Sequence, residues 1–208
     1  MFVNVFQNSK EKTVKLSTEP NVSSIEDDHH LMERLRMGDK EALGTLYEKY
    51  KHNVMGYICH MIRDRGAAEE LMHEVFLKVY EGRESYAPRA KFSTWLWSIA
   101  RNITIDAMRR RGVKYRYTDM IIQEGDVKIE TADPEVKLLE KSSFVAVENC
   151  LQKLPDRQRD AVNLRTFADN SYDEIADLMD STASAVKLLV HRGKKALLIC
   201  LEGRGVVE

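Results

Sequence analysis

The sequence predicts an all-α protein: two helical domains joined by a flexible acidic linker, the second a helix-turn-helix domain. Three observations carry that prediction. Apolar residues recur at steps of three and four through most of the chain. No stretch alternates apolar and polar residues for long enough to make a convincing strand. The helical pattern lapses between Gly112 and about Lys141, where acids gather, and a structureless segment of that length is unusual inside one domain. The expected boundaries are an arm over 1–28, a first domain over 29–112, a linker over 113–137, a second domain over 138–202 and a tail over 203–208.

Each element has its own signal. Residues 1–28 lack sustained periodicity and read as a flexible arm. Leu31 and Leu35 mark a short helix that breaks at Gly38-Asp39. Ala42, Leu46, Tyr50, Val54, Tyr57, Ile58 and Met61 give a longer one of about five or six turns. Ala68, Leu71, Val75, Phe76 and Val79 give a third, ending near Gly82. The stretch Glu84 to Lys91 holds Pro88 and reads as a loop. Trp95, Leu96, Ile99, Ala100, Ile103 and Ala107 make the fourth helix, and four helices with short connections suggest a compact bundle. Beyond the linker, Phe144, Val147, Cys150, Leu151 and Leu154 form one stripe. Pro155 suits the first turn of the next helix, which carries Ala161, Val162, Leu164 and Phe167. Asn170-Ser171 offers an N-cap to a helix with Tyr172, Ile175, Ala176 and Met179. Asp180-Ser181-Thr182 makes a tight turn before a last basic helix that sets Val186, Val190, Gly193 and Leu197 on one face.

Composition narrows the function classes. Net charge is −1, so the chain is no polycation, but the charge is unevenly placed. Six basic residues lie between Arg101 and Arg116 against Asp106 alone, and six acids lie between Asp119 and Glu135 against Lys128. Nonspecific DNA affinity comes mainly from phosphate neutralisation. A near-neutral total therefore suits a subunit that binds DNA well only inside a larger assembly. No apolar run approaches the roughly 20 residues of a membrane span, and the N-terminus lacks the h-region and cleavage site of a signal peptide. Three scattered cysteines, Cys59, Cys150 and Cys200, without a CxxC, predict reduced thiols in a cytosol. His29-His30 has no accompanying ligand array. No nucleophile-base or phosphate-loop motif appears, so the sequence predicts neither a catalytic site, a metal nor a cofactor.

Two stretches suit DNA in different states. Residues 92–111 put two tryptophans and a basic tail on one helix, a platform for single-stranded bases; residues 155–201 suit a duplex groove. The order EALGTLYEKY, AAEELMHEVFLKVY, FSTWLWSIARN, LPDRQRDAVNLRTF and SYDEIADLM, followed by a basic helix, resembles bacterial RNA polymerase sigma factors. The group is the extracytoplasmic-function (ECF) branch of the sigma-70 family, and the likeness covers nearly everything from about Leu31 to Leu201. The resemblance implies a cytoplasmic, non-catalytic initiation subunit. Its first domain would grip the core polymerase (β′ and β subunits) and read the minus-10 element, and its second would read the minus-35 element. It also implies an anti-sigma factor as a partner, and a linker lying in the path of nascent RNA. Two departures stand out. The family usually opens its last helix with Gly-Thr-Val-Lys-Ser-Arg, where this chain has Ser184-Ala185-Val186-Lys187-Leu188-Leu189, and Pro88 stands where a glycine is usual.

The resemblance also assigns candidate residues. Glu69, Glu70, His73, Glu74 and Lys78, opposite the apolar stripe of their helix, would meet a coiled coil of β′. For the minus-10 element the loop 84–91 would form a pocket around an extruded base, with Tyr86, Trp95 and Trp97 as stacking surfaces. Phe92 and Trp95 share a face, which makes Trp97 the more exposed tryptophan, and Lys91, Arg101, Asn102 and Arg109 would hold the strand backbone. The run Arg109-Arg110-Arg111 reads equally as a solvated helix end favoured by the macrodipole. For the minus-35 element, Ser184, Lys187, Leu188, His191, Arg192 and Lys195 lie on adjoining rows of the last helix. Leu188 would meet a thymine methyl where relatives use a serine, the alternative being a packing role. Arg192, Lys194 and Lys195 would contact phosphates, giving a salt slope of about −2.7 in log K. Two other classes compete with this reading: a stand-alone helix-turn-helix repressor, and a helical adaptor without DNA function.

Overall fold

The computed structural model describes residues 27–87, 91–112 and 143–206. Among them are eight α-helices, one short 3-10 turn and no strand. The first group is α1 (Asp28–Arg36), α2 (Lys40–Ile62), α3 (Arg65–Glu81) and α4 (Phe92–Arg110), with the 3-10 turn at Gly82–Glu84. The second is α5 (Ser143–Lys153), α6 (Asp156–Phe167), α7 (Tyr172–Leu178) and α8 (Ala183–Glu202). Residues 1–26 of the expected arm and the expected linker lie outside the described residues, as do Pro88 and the side chain of Phe144; Asp28, placed at the end of the arm by the sequence, instead begins α1.

Local chemistry sets the helix ends. Asp39 caps α2 by accepting from the Glu41 N–H at 3.0 Å, and Arg34 holds the same carboxylate at 2.6 Å. Helix α2 stops where Arg63 turns left-handed, φ 55°. Asp64 then caps α3 through the Ala67 N–H, so two residues suffice for the reversal. Ser171 and Glu174 form a reciprocal capping box on α7. Asp180, φ 48°, makes the turn into α8, whose N-cap is Thr182.

The packing shows a feature absent from the sequence reading: the two helical groups share a core. Helices α1 to α4 enclose Leu35, Leu46, Tyr57, Val75, Phe92 and Leu96, and that cluster runs on into Ala161, Leu164, Ile175 and Val186 of the second group. A smaller cluster, with Leu151, Val162, Leu197 and Leu201, ties α5, α6 and α8 together. Gly193 lets α8 approach α6 closely, since a Cβ there would lie 2.6 Å from Val162 Cγ2.

One expectation is corrected here. Cys150 and Cys200 form a disulfide between α5 and α8, with Cα atoms 5.9 Å apart, where scattered spacing predicted reduced thiols. Fifty residues separate the two in sequence, and only the packing of α5 on α8 brings them together. Cys59 is the free cysteine, and burial pushes its thiol pKa up.

Candidate nucleic-acid interface

Helix α8 presents an open basic face. Ser184, Lys187, Leu188, His191, Arg192 and Lys195 are all exposed, and they project from the helix that follows the tight turn. Leu188 is 47% exposed, whereas the neighbouring Leu189 packs into the core. The packing alternative for Leu188 therefore lacks support within this chain. Thr182 accepts from the Ala185 N–H at 3.2 Å and lies 3.1 Å from Ser184 Oγ, which fixes the first turn of α8.

The α4 surface is arranged differently from the expectation. Trp97 is 1% exposed and Trp95 is half-buried, the reverse of the predicted order. The reason is that α4 buries two rows, not one. Phe92, Leu96, Ile103 and Ala107 form the first, and Trp97, Arg101, Thr104 and Met108 the second. Trp97 packs edge-on to Tyr57 at 5.6 Å, and its indole N–H has no acceptor among the described residues. Arg101 is likewise buried, so neither side chain lies on an open surface. Asn102 and Arg109 do; Arg109 pairs with Asp106 at 3.0 Å.

An aromatic cluster nevertheless borders the loop 84–91. Tyr86, Trp95 and Phe92 lie with ring centres 5.1 to 6.1 Å apart, and Trp95 rests over Gly82. Tyr86 Oη is 2.7 Å from His29 Nδ1. Burial, and then the carboxylates of Asp28 and Asp27, push the Tyr86 phenol up to about 12. It therefore stays neutral and keeps its proton as a donor. Trp95, on this cluster, is the tryptophan with surface to offer a base.

The buried row of α4 faces α6 across a polar seam. Asp160, fully buried, accepts from Arg101 Nε and from the Tyr57 hydroxyl, both at 2.9 Å. On α2, His60 lies 3.4 Å from Asn163 and 3.5 Å from Glu148, and its carbonyl accepts from Gln152. Gly56 admits the Phe167 ring, where a Cβ would stand 2.6 Å away. At the edge, Glu174 of α7 takes Lys91 at 3.0 Å and Thr94 at 3.5 Å. The Ser171 N–H, and then Lys91, hold the Glu174 carboxyl below the usual range. The sequence reading missed Asp160 and Glu174. Each stands in a run of polar residues that reads as solvated surface.

Burial holds the His60 imidazole below its ordinary range, against the pull of Glu148 and Asn163. The packed state thus favours a neutral ring. That contribution is complete above the unfolded value of about 6.5 and is lost as pH falls through the lower folded value. Thermal stability should accordingly decline through this group as pH falls below about 6.5. His60→Gln should flatten that part of the profile in a melting series; an unchanged profile would remove His60 as its source.

On α3, Glu69, Glu70, His73 and Lys78 are exposed and Glu74 is half-buried. Tyr47 stacks on His73 at 6.3 Å, and Lys78 pairs with Glu81 at 2.8 Å. Leu77, 54% exposed, sits among these charges and was missed. Its position between the two charged residues Glu74 and Lys78 was the available signal.

Comparison with known proteins fits this architecture. Residues 46–113 match the family model for Sigma-70 region 2, and residues 144–197 match that for Sigma-70, region 4. The RNA polymerase sigma-H factor of Pseudomonas aeruginosa is 30% identical over 178 residues, covering 83% of this chain and 92% of that protein. The ECF RNA polymerase sigma factor SigW of Bacillus subtilis is 26% identical, covering 80% and 92%. Among solved structures, CnrH in complex with the cytosolic domain of CnrY aligns with TM-score 0.63 at 17% identity, covering 85% of this chain and 97% of that one. RpoE in complex with the anti-sigma factor NepR, from Bartonella quintana, aligns at 0.55 and 22%, covering 72% and 89%. Both likenesses speak to the fold. No helix among the described residues is long and apolar enough to cross a membrane. With both sigma regions matched in order along one chain, and a 30%-identical sigma factor covered over 92% of its length, the chain belongs to the sigma-70 family, in its ECF group.

Proposed function

We propose that this sigma factor gives core RNA polymerase its promoter choice by reading minus-10 and minus-35 elements, and that it assists melting without performing chemistry of its own. The observation that carries the reading is the open face of α8, where Ser184, Lys187, Leu188, His191, Arg192 and Lys195 are exposed together after a capped turn. Such a helix places its N-terminal half in a major groove. Lys187 offers donors to guanine, and Leu188 offers an apolar surface to a thymine methyl.

The minus-10 strand would meet the Tyr86–Trp95 cluster, with Lys91, Asn102 and Arg109 toward its phosphates; Arg101, buried against Asp160, is not part of that surface. Stacking on such a platform returns roughly 1–3 kcal/mol per base, enough to offset much of the few kcal/mol that extrusion costs. On α3, Glu69, Glu70, His73, Glu74 and Lys78 would meet β′, with Leu77 as an apolar anchor inside the charged rim. The remaining parts of the reading are a cytoplasmic site of action, an anti-sigma partner like the one in the NepR complex, and no cofactor.

Run-off transcription with core polymerase tests it. Initiation should depend on adding this protein, whereas a stand-alone repressor or a helical adaptor would not supply it. On the same templates, Leu188→Ser should change preference at one minus-35 position by roughly five- to a hundredfold, the range of one lost base contact. Unchanged preference at every position would remove Leu188 from the readout.

A further inference from the structure

We infer that His29, in the first turn of α1, is a positioning residue for strand capture: it holds the Tyr86 hydroxyl and so sets the tilt of that ring against Trp95, where a base of the melted minus-10 strand would lie. This role rests on the functional reading above and adds to it a helix and a residue that it lacks.

The contact is direct. Tyr86 Oη lies 2.7 Å from His29 Nδ1, and the two rings stack with centres 5.8 Å apart and planes 30° apart. The Tyr86 phenol keeps its proton, so the hydroxyl donates and Nδ1 accepts. The two rings of the platform are restrained in different ways. Trp95 is seated on the turn before the loop, where a Cβ on Gly82 would stand 3.0 Å from its ring. Tyr86 has its main chain fixed by a bond from its N–H to the Gly82 carbonyl at 3.0 Å, but that bond does not direct the side chain. Its ring meets Phe92 and Trp95 through edge-on and tilted contacts, whose geometry is broad. The hydroxyl bond to His29 is directional. His29 is itself anchored, because the adjacent Asp28 takes Lys49 at 2.6 Å and the Tyr50 hydroxyl at 2.5 Å, both from α2.

The tilt matters for the ligand. The Tyr86 and Trp95 ring centres are 5.1 Å apart, with planes at 50°. A base cannot enter between them, since that needs about 7 Å, twice a carbon contact distance. It can lie flat on one ring and meet the other with its edge, so the angle between the rings shapes the notch. His29, Tyr86 and Trp95 are all half-buried. A hydrogen bond there competes with water and contributes little to stability. What it supplies is a ring already ordered before the base arrives.

The test uses holoenzyme assembled from core polymerase and the full chain. The DNA is the non-template strand of a promoter on which the wild type gives run-off product, with abasic sites placed one at a time along the minus-10 element. In the wild type one position should cost roughly five- to a hundredfold in affinity, the value of one stacked base. His29→Phe keeps a ring beside Tyr86 and removes the acceptor. It should weaken binding of the intact strand roughly three- to tenfold, and shrink the abasic penalty at that one position by the same factor. Tyr86→Phe should match it, and the double variant should be no worse than either. His29→Asn, whose amide oxygen stands where Nδ1 stood, should restore most of the loss. Urea midpoints should stay at the wild-type value.

An abasic profile in His29→Phe identical to the wild type would overturn the inference. So would equal losses at every position, additive losses in the double variant, or His29→Asn as impaired as His29→Phe. If His29→Phe does not fold by circular dichroism, Tyr86→Phe against the same abasic series decides. Absence of run-off product from every fragment would refute the functional reading and this role with it; intact run-off with an unmoved profile would refute only the role of His29.

Discussion

Trp97→Ala should lower the unfolding free energy by about 3–5 kcal/mol, the cost of truncating a fully buried tryptophan. The side chain is 1% exposed and lies edge-on to Tyr57. Truncation removes packing from α2 and α4 together. Trp95→Ala, at a half-buried position over Gly82, should cost less and should show mainly in binding to melted promoter. Urea unfolding separates stability from binding. A Trp97→Ala protein of normal stability would show that the ring contributes little to the core, and the division of labour between the two tryptophans would have to be redrawn.

The second large effect belongs to the seam. Asp160→Ala leaves the Arg101 guanidinium in a site where its carboxylate partner is gone. Breaking one side of a buried pair costs about 3–5 kcal/mol when the remaining charge has no exit. Here it has one, because parting the helical groups lets Arg101 reach water. The loss should therefore be limited to the contribution of the seam. Calorimetry should show α1–α4 and α5–α8 melting as two transitions where the wild type shows one. Replacing all three polar partners, Asp160→Leu with Arg101→Met and Tyr57→Phe, should restore a single transition, since apolar groups of similar volume commonly substitute for a buried polar set when no member is left unpaired. A single transition in Asp160→Ala, with full loss of stability, would mean that the two groups cannot part.

The helices themselves were legible from apolar spacing. The expected stop of the third helix near Gly82 matches the end of α3 at Glu81, and the tight turn at Asp180 reflects local chemistry that the residue types announce. Periodicity reports which face of a helix is dry, but not whether a second face is dry as well. Helix α4 carries Trp97 and Arg101 on such a second face, which is why their exposure was misjudged. Asp160 posed the same difficulty in a stronger form. A carboxylate in a polar run reads as solvated until a guanidinium 59 residues earlier is brought to it. Cys150 and Cys200 were hidden similarly, because pairing depends on helix packing and not on spacing. The exposed face of α8 was more accessible to reasoning: a basic helix after a capped turn has one apolar stripe, and the remaining rows face outward.

The proposed function requires an assembly that holds the two helical groups apart on the promoter. A chain of this size folded as one body is about 40 Å across, whereas elements 25 base pairs apart lie about 85 Å apart along a duplex at 3.4 Å per step. Spin labels at exposed Glu41 of α2 and Glu202 of α8 would measure the separation in the free protein and in the transcribing complex. The distance should lie within about 40 Å in the free protein and lengthen by tens of ångströms on polymerase and promoter. The same short distance in a complex that initiates transcription would contradict it.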